Sequence, residues 1–571
     1  MDGSSILQRA VDHVATKVQE PTVAAVLITL LVVTITTRLI SGSSETGRGD
    51  AQIAPTPGYW VPYFGHAPQM VWNADGFLAS LRDKYPKGVF SLRLMGKVHT
   101  IVHRPSLVHD LGNKPPSVAD GKKILGSLMV SNFGVSSSDM ALFWDMFSEI
   151  QAGYKHLLAE NSLSELVHST ARHLKASIAD WITYNSYPAD QMEWERVAEA
   201  DVIETPSGES IVEADLTELS RNFVAQTATP AIMGTDFATN FPEFAQCLWE
   251  LDGAFNMLAM KMSGWVPSPR LQRARRARRV VLSCLYEFHE ALDKELNGED
   301  PGNRWQDLDN VSTLVRARAE VYRKHQVPIR LRAASDLSVL WAMNASSGSL
   351  LFWMLLEIYR DPVLLEQIRD EISPYVSGVQ PKNEFGLGVW ISPRIETLDV
   401  DGLINHCPLL NSAYVETQRL YTGAWSFRSI QEDTTLSEAG KGHEGYLLKK
   451  GTYAHASHEL HQLDPSYFPS PREWQALRHL KGGMDDSGKP VRTVDLGTIK
   501  PHGDGLGMSE GKGFALRELL MYTAAILTMY EIRPPEGKQW TIPGTRRQGV
   551  TKHPKKAVRV WIKRRELPME K

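Results

Sequence analysis

Lys500-Pro501-His502-Gly503-Asp504-Gly505-Leu506-Gly507-Met508-Ser509-Glu510-Gly511-Lys512-Gly513-Phe514-Ala515 is the stretch on which the fold turns. Four glycines fall between Gly503 and Gly511. Glycine at that density permits backbone conformations that a β-carbon forbids, so a tight loop can lie close to a flat ligand. The loop runs straight into an apolar helical pattern that lasts to about Tyr530.

Upstream, Glu416-Thr417-Gln418-Arg419 sets an acid and a base three residues apart, on one helix face. A buried carboxylate–guanidinium pair needs further hydrogen bonds to be tolerated. Pro471-Arg472-Glu473-Trp474-Gln475-Ala476-Leu477-Arg478 lies between that helix and the glycine-rich loop. Asp336 to Arg360 is expected as a long apolar helix, almost without charge from Leu337 to Tyr359. Asn344, Ser346, Ser347 and Ser349 make it too polar for a membrane span.

Together these stretches resemble the cytochrome P-450 (haem-thiolate monooxygenase) family, in a fungal-type microsomal form. The family's haem loop reads Phe-x-x-Gly-x-x-x-Cys-x-Gly, a basic residue, then Phe-Ala. Gly505, Gly511, Lys512, Phe514 and Ala515 fit it. His502 stands at the first aromatic, and Ser509 at the iron-ligating cysteine. Glu416 and Arg419 match the family's Glu-x-x-Arg motif, and Arg478 its third, structural member. The resemblance implies a mainly α fold with small β-sheets plus one N-terminal transmembrane helix. It also implies an acid and an alcohol on the central helix to deliver protons to bound oxygen. Those positions fall on Ser346 and Ser347, beside Asn344, so an alcohol is kept and the acid is not. A hydroxyl relays a proton but is a poor source of one at neutral pH. The serines fit equally as groups that satisfy a kinked helix. Arg428, in Trp425-Ser426-Phe427-Arg428, sits where the family often places an arginine on a haem propionate; a surface arginine is the alternative.

At 571 residues the chain is long for one domain, yet within the range of large enzymes. Hydrophobic residues at 42% and charged residues at 22% suit a globular protein with a large core. The net charge of -4 gives no electrostatic case for nucleic acid. Three cysteines, Cys247, Cys284 and Cys407, make no disulfide framework and suit a cytosol-facing domain. Cys407 precedes the Glu416 helix and reads as core. Met508 and His502 are the other substitute ligands for a haem iron, each requiring the loop to rearrange.

Residues Ile6 to Val18 fit a short amphipathic helix. Pro21 to Thr37 carries no charge, and with Leu39 and Ile40 the run approaches the about 20 apolar residues a bilayer needs. A cleaved signal peptide is the alternative, but the run starts late and lacks a basic head and a clear cleavage site. A retained single-pass anchor is expected, in the endoplasmic reticulum with the globular domain in the cytosol. Arg9 and Lys17 balance Arg38 and Arg48, so charge alone sets no orientation. Ser41 to Asp50 is a polar linker. Residues 1–50 are thus anchor and linker, and 51–571 the P-450-like domain, entered through the proline-rich segment Pro55 to His66. Val89 to Leu94 and Thr100 to His103 read as a hairpin around Met95-Gly96-Lys97. Beyond it the chain reads mainly helical to about Val376. Arg270, Arg273, Arg275, Arg276, Arg278 and Arg279 read as a solvated helix face or a contact with acidic lipid headgroups.

A thiolate donates electron density to iron and promotes O–O cleavage. A serine hydroxyl is far less acidic, so it sits as a neutral, weak ligand. Haem is therefore expected to be held weakly or not at all, with no metal ligand certain beyond the Ser509 position. Three functions fit this pattern. One is an enzyme of fungal secondary metabolism acting on a lipophilic terpenoid or polyketide in a redox-neutral step such as cyclisation, cycloaddition or isomerisation. Another is a haem-dependent monooxygenase with an unusual axial ligand and a reductase partner. The third is a non-catalytic binding protein on the same membrane.

Overall fold

The uncharged run at the N-terminus forms a helix, Pro21–Ile40, whose apolar side chains from Val26 to Ile40 are largely exposed. In the computed structural model the described residues are 21–42, 51–157, 160–205, 208–262, 267–383, 391–438, 445–484, 490–503 and 510–571. The expected helix at Ile6 to Val18 and most of the linker lie outside them. The end of the Pro21–Ile40 helix is fastened to the proline-rich segment. Ser41 Oγ accepts from the Tyr59 backbone N–H at 2.9 Å, and the Arg38 guanidinium lies 5.4 Å from the Trp60 ring centre. His66 is buried between the Pro57 carbonyl and the Arg93 N–H, 3.0 Å from each.

The chain forms two compact units. The first comprises Met1–Ile124, Trp425–His461 and Gly503–Gly507. Its five-stranded sheet runs in the order Val89–Leu94, Lys97–Val102, Tyr453–Ser457, Trp425–Ile430, Ala119–Asp120. The hairpin is the one expected, although its second strand starts at Lys97 rather than Thr100. Met95 and Gly96 both take positive φ, 51° and 77°, which matches the right-handed twist of the strands they join. Strand alternation sends Val89 and Val102 into one apolar cluster and Phe90, Leu92 and Ile101 into another, on opposite faces.

The second unit comprises Leu125–Ala424, Gln462–His502 and Met508–Lys571 and is mostly helical. Between Leu125 and Val376 the chain is less purely helical than its pattern suggests. Asp201–Glu204 and Ser210–Asp215 form a hairpin, and Arg559–Arg564 pairs with its inner strand. That partner lies more than 300 residues away, so nothing local announces the sheet.

The central apolar segment starts at Ile329, not Asp336, and is two helices: Ile329–Asn344 and Ser347–Tyr359. Ser347 Oγ lies 3.2 Å from the Met343 carbonyl across the break, one turn back along the disturbed ladder. Ile329–Tyr359 is long and apolar enough to cross a membrane, yet it is mostly buried and serves as core. Leu216–Met233 crosses Ser347–Tyr359 at Gly348, where a β-carbon would stand 2.4 Å from Arg221 Cα. Only glycine allows so close a crossing.

Candidate functional site

Pro408–Tyr421 carries Glu416 and Arg419 one turn apart, both wholly buried. Arg419 donates from Nε to Glu416 Oε2 and from Nη2 to Oε1, each at 2.8 Å. Arg478 Nε donates to Oε1 at 3.0 Å, and so does the Gln475 backbone N–H. The remaining arginine protons go to the carbonyls of Gln462, Pro471 and Glu473. Burial pushes the Glu416 carboxyl up, but Arg419, His479 and Arg478 outweigh it and bring it down to about 2. His479, whose Nε2 lies 2.9 Å from Glu416 Oε2, was not legible beforehand; it simply follows Arg478 in the chain.

The helix leaving the glycine-rich loop is Lys512–Met529. Gly505, Met508 and Ser509 lie outside the described residues. His502, just before them, is half-buried. Its Nε2 lies 3.4 Å from the Tyr414 hydroxyl and 3.5 Å from Gln418 Nε2, both on the Glu416 helix. Burial, then the Lys512 charge, lowers its pKa, so it stays neutral at neutral pH. Gly511 directly precedes the helix, with the Ala515 N–H reaching its carbonyl at 3.0 Å.

On the central segment, Asn344 and Ser347 are buried and Ser346 is part-exposed. Asn344 Nδ2 is spent on the Leu340 carbonyl at 2.9 Å. Ser346 and the exposed Ala342, four residues earlier, form the open face of the segment. Ser347 points elsewhere: its Oγ donates to Glu518 Oε2 on the Lys512–Met529 helix at 2.5 Å. Glu518 Oε1 has no partner among the described residues. Burial raises the Glu518 carboxyl to about 7, against the lowering effect of Ser347. Sequence reasoning missed Glu518, although it is the only acid between Lys512 and Met529. The pair thus places an acid that titrates near neutrality behind Ser347, whereas Ser346 stands where the resemblance expects an acid.

Arg428 belongs to the other unit. Its Nη1 donates to the Phe427 carbonyl at 3.1 Å, and it lines a small cavity with Val108, Leu111, Ser426 and His458. It is therefore not a free surface arginine. Arg273, Arg276 and Arg279 of Pro269–Leu296, three residues apart, share its exposed face, whereas Arg275 and Arg278 turn partly inward. Arg275 donates to the Met262 carbonyl at 2.8 Å, Arg278 to that of Ser131 at 2.6 Å, and Arg273 to Glu250 at 3.2 Å.

The family model described as Cytochrome P450 matches residues 199–559. The chain belongs to the cytochrome P450 family. It is similar to a cytochrome P450 monooxygenase of Gibberella zeae, at 23% identity over 84% of this chain and 81% of that one. It is also similar to cytochrome P450 monooxygenase nodJ of Hypoxylon pulicicidum, at 21% identity over 86% and 84%. Cytochrome P450 7B1 of Mus musculus shares 23% identity over 87% and 88%. Members of this P450 family are enzymes and normally bind haem, so the donors present decide the fit. All three cysteines of the chain lie before the loop. Cys407 is buried, with Sγ on the Glu371 carbonyl at 3.5 Å, and burial pushes its thiol up to about 12. Cys284 is likewise pushed to about 12 by burial, and Cys247 is raised by burial and two nearby glutamates. Neither the loop sequence nor these thiols fit a thiolate-ligated haem.

Proposed function

We propose that this P450 catalyses a redox-neutral step on a lipophilic small molecule, a terpenoid or polyketide of fungal-type secondary metabolism. The placement of the thiols carries this reading. A neutral thiol hydrogen-bonded in the core offers no thiolate, and Ser509 at the ligand position offers none either. Haem is then held weakly or not at all. What remains is a fold that positions a substrate, and near-attack positioning alone can supply several kcal/mol. Ser346 and Asn344 shape the central-helix wall, while Glu416, Arg419 and Arg478 lock the scaffold behind it. Residues 1–50 anchor the 51–571 domain in the membrane, supported by the exposed apolar helix Pro21–Ile40.

A haem-dependent oxygenase with an unusual axial ligand is the second function supported. Glu518 favours it, since a carboxyl near 7 behind Ser347 supplies the acid that Ser346 lacks.

Reduced protein under carbon monoxide should show no red-shifted band of thiolate-ligated haem, whereas Ser509→Cys should regain it if the loop from Gly505 to Gly511 still shapes a haem pocket; a variant that stays colourless makes His502 or a filled cavity the obstacle. Turnover of a pathway intermediate should persist in Ser509→Ala without reductase, nicotinamide cofactor or oxygen. Strict dependence on those three sinks the redox-neutral function and selects the oxygenase. The intact protein should stay with membranes in alkaline carbonate, and loss of residues 1–50 should release it; a freely soluble full chain overturns the anchor.

A further inference from the structure

The hairpin Thr545–Gln548 and Thr551–Pro554 pairs Arg546 with His553 and Gln548 with Thr551. Residues two apart share a face of such a ribbon, and directly paired residues stand side by side. Arg546, Gln548 and His553 therefore look the same way. Gln548 and His553 meet Asp252 at the end of Phe244–Gly253, His553 also meets Ser349 of Ser347–Tyr359, and Trp341 of Ile329–Asn344 reaches the same acid. Asp252 Oδ1 accepts from Trp341 Nε1 at 2.9 Å and Oδ2 from Gln548 Nε2 at 2.7 Å. His553 Nε2 lies 3.0 Å from Ser349 Oγ and 3.9 Å from Asp252 Oδ2. At the hairpin tip Gly549 has φ +55°, and a β-carbon there would stand 3.1 Å from Asp252 Oδ1. The tip thus seals the buried acid from above.

Three guanidiniums gather around this seal with too few partners. Arg221 pairs with Glu218 at 3.0 Å and lies over the Trp249 ring at 5.0 Å. Arg270 makes one long hydrogen bond among the described residues, from Nη2 to Gln548 Oε1 at 3.3 Å. Arg546, exposed at the rim, makes no hydrogen bond or ion pair among the described residues. Loss of solvent, then the charges of Arg270 and Arg221, lower the pKa of Arg546, as expected where like charges crowd. Glu218 is engaged by Arg221, and Asp252 by Trp341 and Gln548, so Arg270 and Arg546 have no carboxylate within ion-pair distance among the described residues. Gln548 stands between Asp252 and Arg270, its amide donating to one and accepting from the other, and so screens the buried acid from the rim.

We propose that Arg546 and Arg270, backed by Arg221, recognise an oxyanion carried by the lipophilic substrate, a carboxylate or a phosphate. Planar guanidiniums bind both groups through paired, charge-assisted hydrogen bonds. The apolar body of the molecule would then lie along the open Ala342–Ser346 face of the central segment. The proposal rests on the lipophilic-substrate reading above but not on the redox-neutral one.

Binding of dodecanoate, dodecyl phosphate and dodecanol to the full chain, measured by titration calorimetry in a non-ionic detergent, tests it. At least one anion should bind about tenfold or more tightly than the alcohol, since a hydrogen bond to a charged group is worth about 1.5–3 kcal/mol. Which anion leads tells carboxylate from phosphate. Arg546→Gln and Arg270→Gln should each erase most of that preference while leaving dodecanol binding unchanged. Arg546→Gln should also melt like wild type, because the guanidinium holds nothing in the fold. Equal binding of the alcohol and both anions overturns the oxyanion site and leaves the lipophilic reading intact. Binding of none overturns both. An anion preference that survives the Arg546→Gln/Arg270→Gln double variant also overturns the proposal.

Discussion

Glu416 and Glu518 are equally sealed from water, at 0% and 1% exposure, and sit on neighbouring helices of the same core. Their carboxyls nevertheless move in opposite directions, to about 2 and to about 7. Burial raises both. The difference is the company. Glu416 has five nitrogens within 3.0 Å, while Glu518 has one hydroxyl. A buried acid with every lone pair met is a fixed charge that braces the fold. One left under-partnered keeps its proton and stays available for chemistry.

The largest effect expected from this contrast is at Glu416. Glu416→Ala leaves Arg419 and Arg478 charged in the core without their counter-ion. Removing one side of a buried pair costs about 3–5 kcal/mol, a large share of ordinary domain stability. Urea unfolding, or the yield of soluble folded protein, checks it. A variant that unfolds like wild type breaks the comparison at its stronger end.

The two acids should also tilt stability in opposite directions with pH. Glu416 binds fewer protons folded than unfolded, so it stabilises above pH 4.5 and that stability is lost as pH falls toward 2. Glu518 binds more protons folded than unfolded between 4.5 and about 7, so wild type should lose stability as pH rises through that window. At about 1.36 kcal/mol for each pH unit, the loss is roughly 3 kcal/mol. Glu518→Gln, which cannot ionise, should flatten it. Unfolding free energies at pH 5 and pH 7.5 for both proteins give the answer, and parallel slopes refute the assignment.

The Glu416 end was readable in the sequence and the Glu518 end was not. Glu416 and Arg419 are set by helix spacing, and Arg478 follows in a fixed chain order, so local pattern carries them. Their fourth member, His479, is fixed only by the loop that returns it to Oε2. Glu518 is a lone acid in an apolar helix, a signal that went unread, and its partner Ser347 lies 171 residues away. Ser346 and Ser347 were placed together on the central segment. Which one opens outward depends on the helix break, and no local rule fixed that. The Ser210–Asp215 strand failed for the same reason, since its partner comes from the C-terminal end of the chain.

Ser347→Ala gives the smallest effect and the sharpest test of the weaker end. The hydroxyl has one proton to give, and its closer acceptor is Glu518, which it holds down; the Met343 carbonyl lies farther, at 3.2 Å. Its loss should cost about 1 kcal/mol at low pH, the net worth of an ordinary hydrogen bond. It should also let the Glu518 carboxyl climb further, because the hydrogen bond to Ser347 is what lowers it. The pH window over which stability falls should therefore extend to higher pH than in wild type. Ser346→Ala is the control. Ser346 is part-exposed, and its side chain makes no hydrogen bond among the described residues, so its removal should leave the stability profile where it was. If both alanine variants shift the profile alike, the titration belongs to the helix break and not to the Ser347–Glu518 pair. If neither does, Glu518 is not the group that titrates, and its likeness to a catalytic acid fails with it.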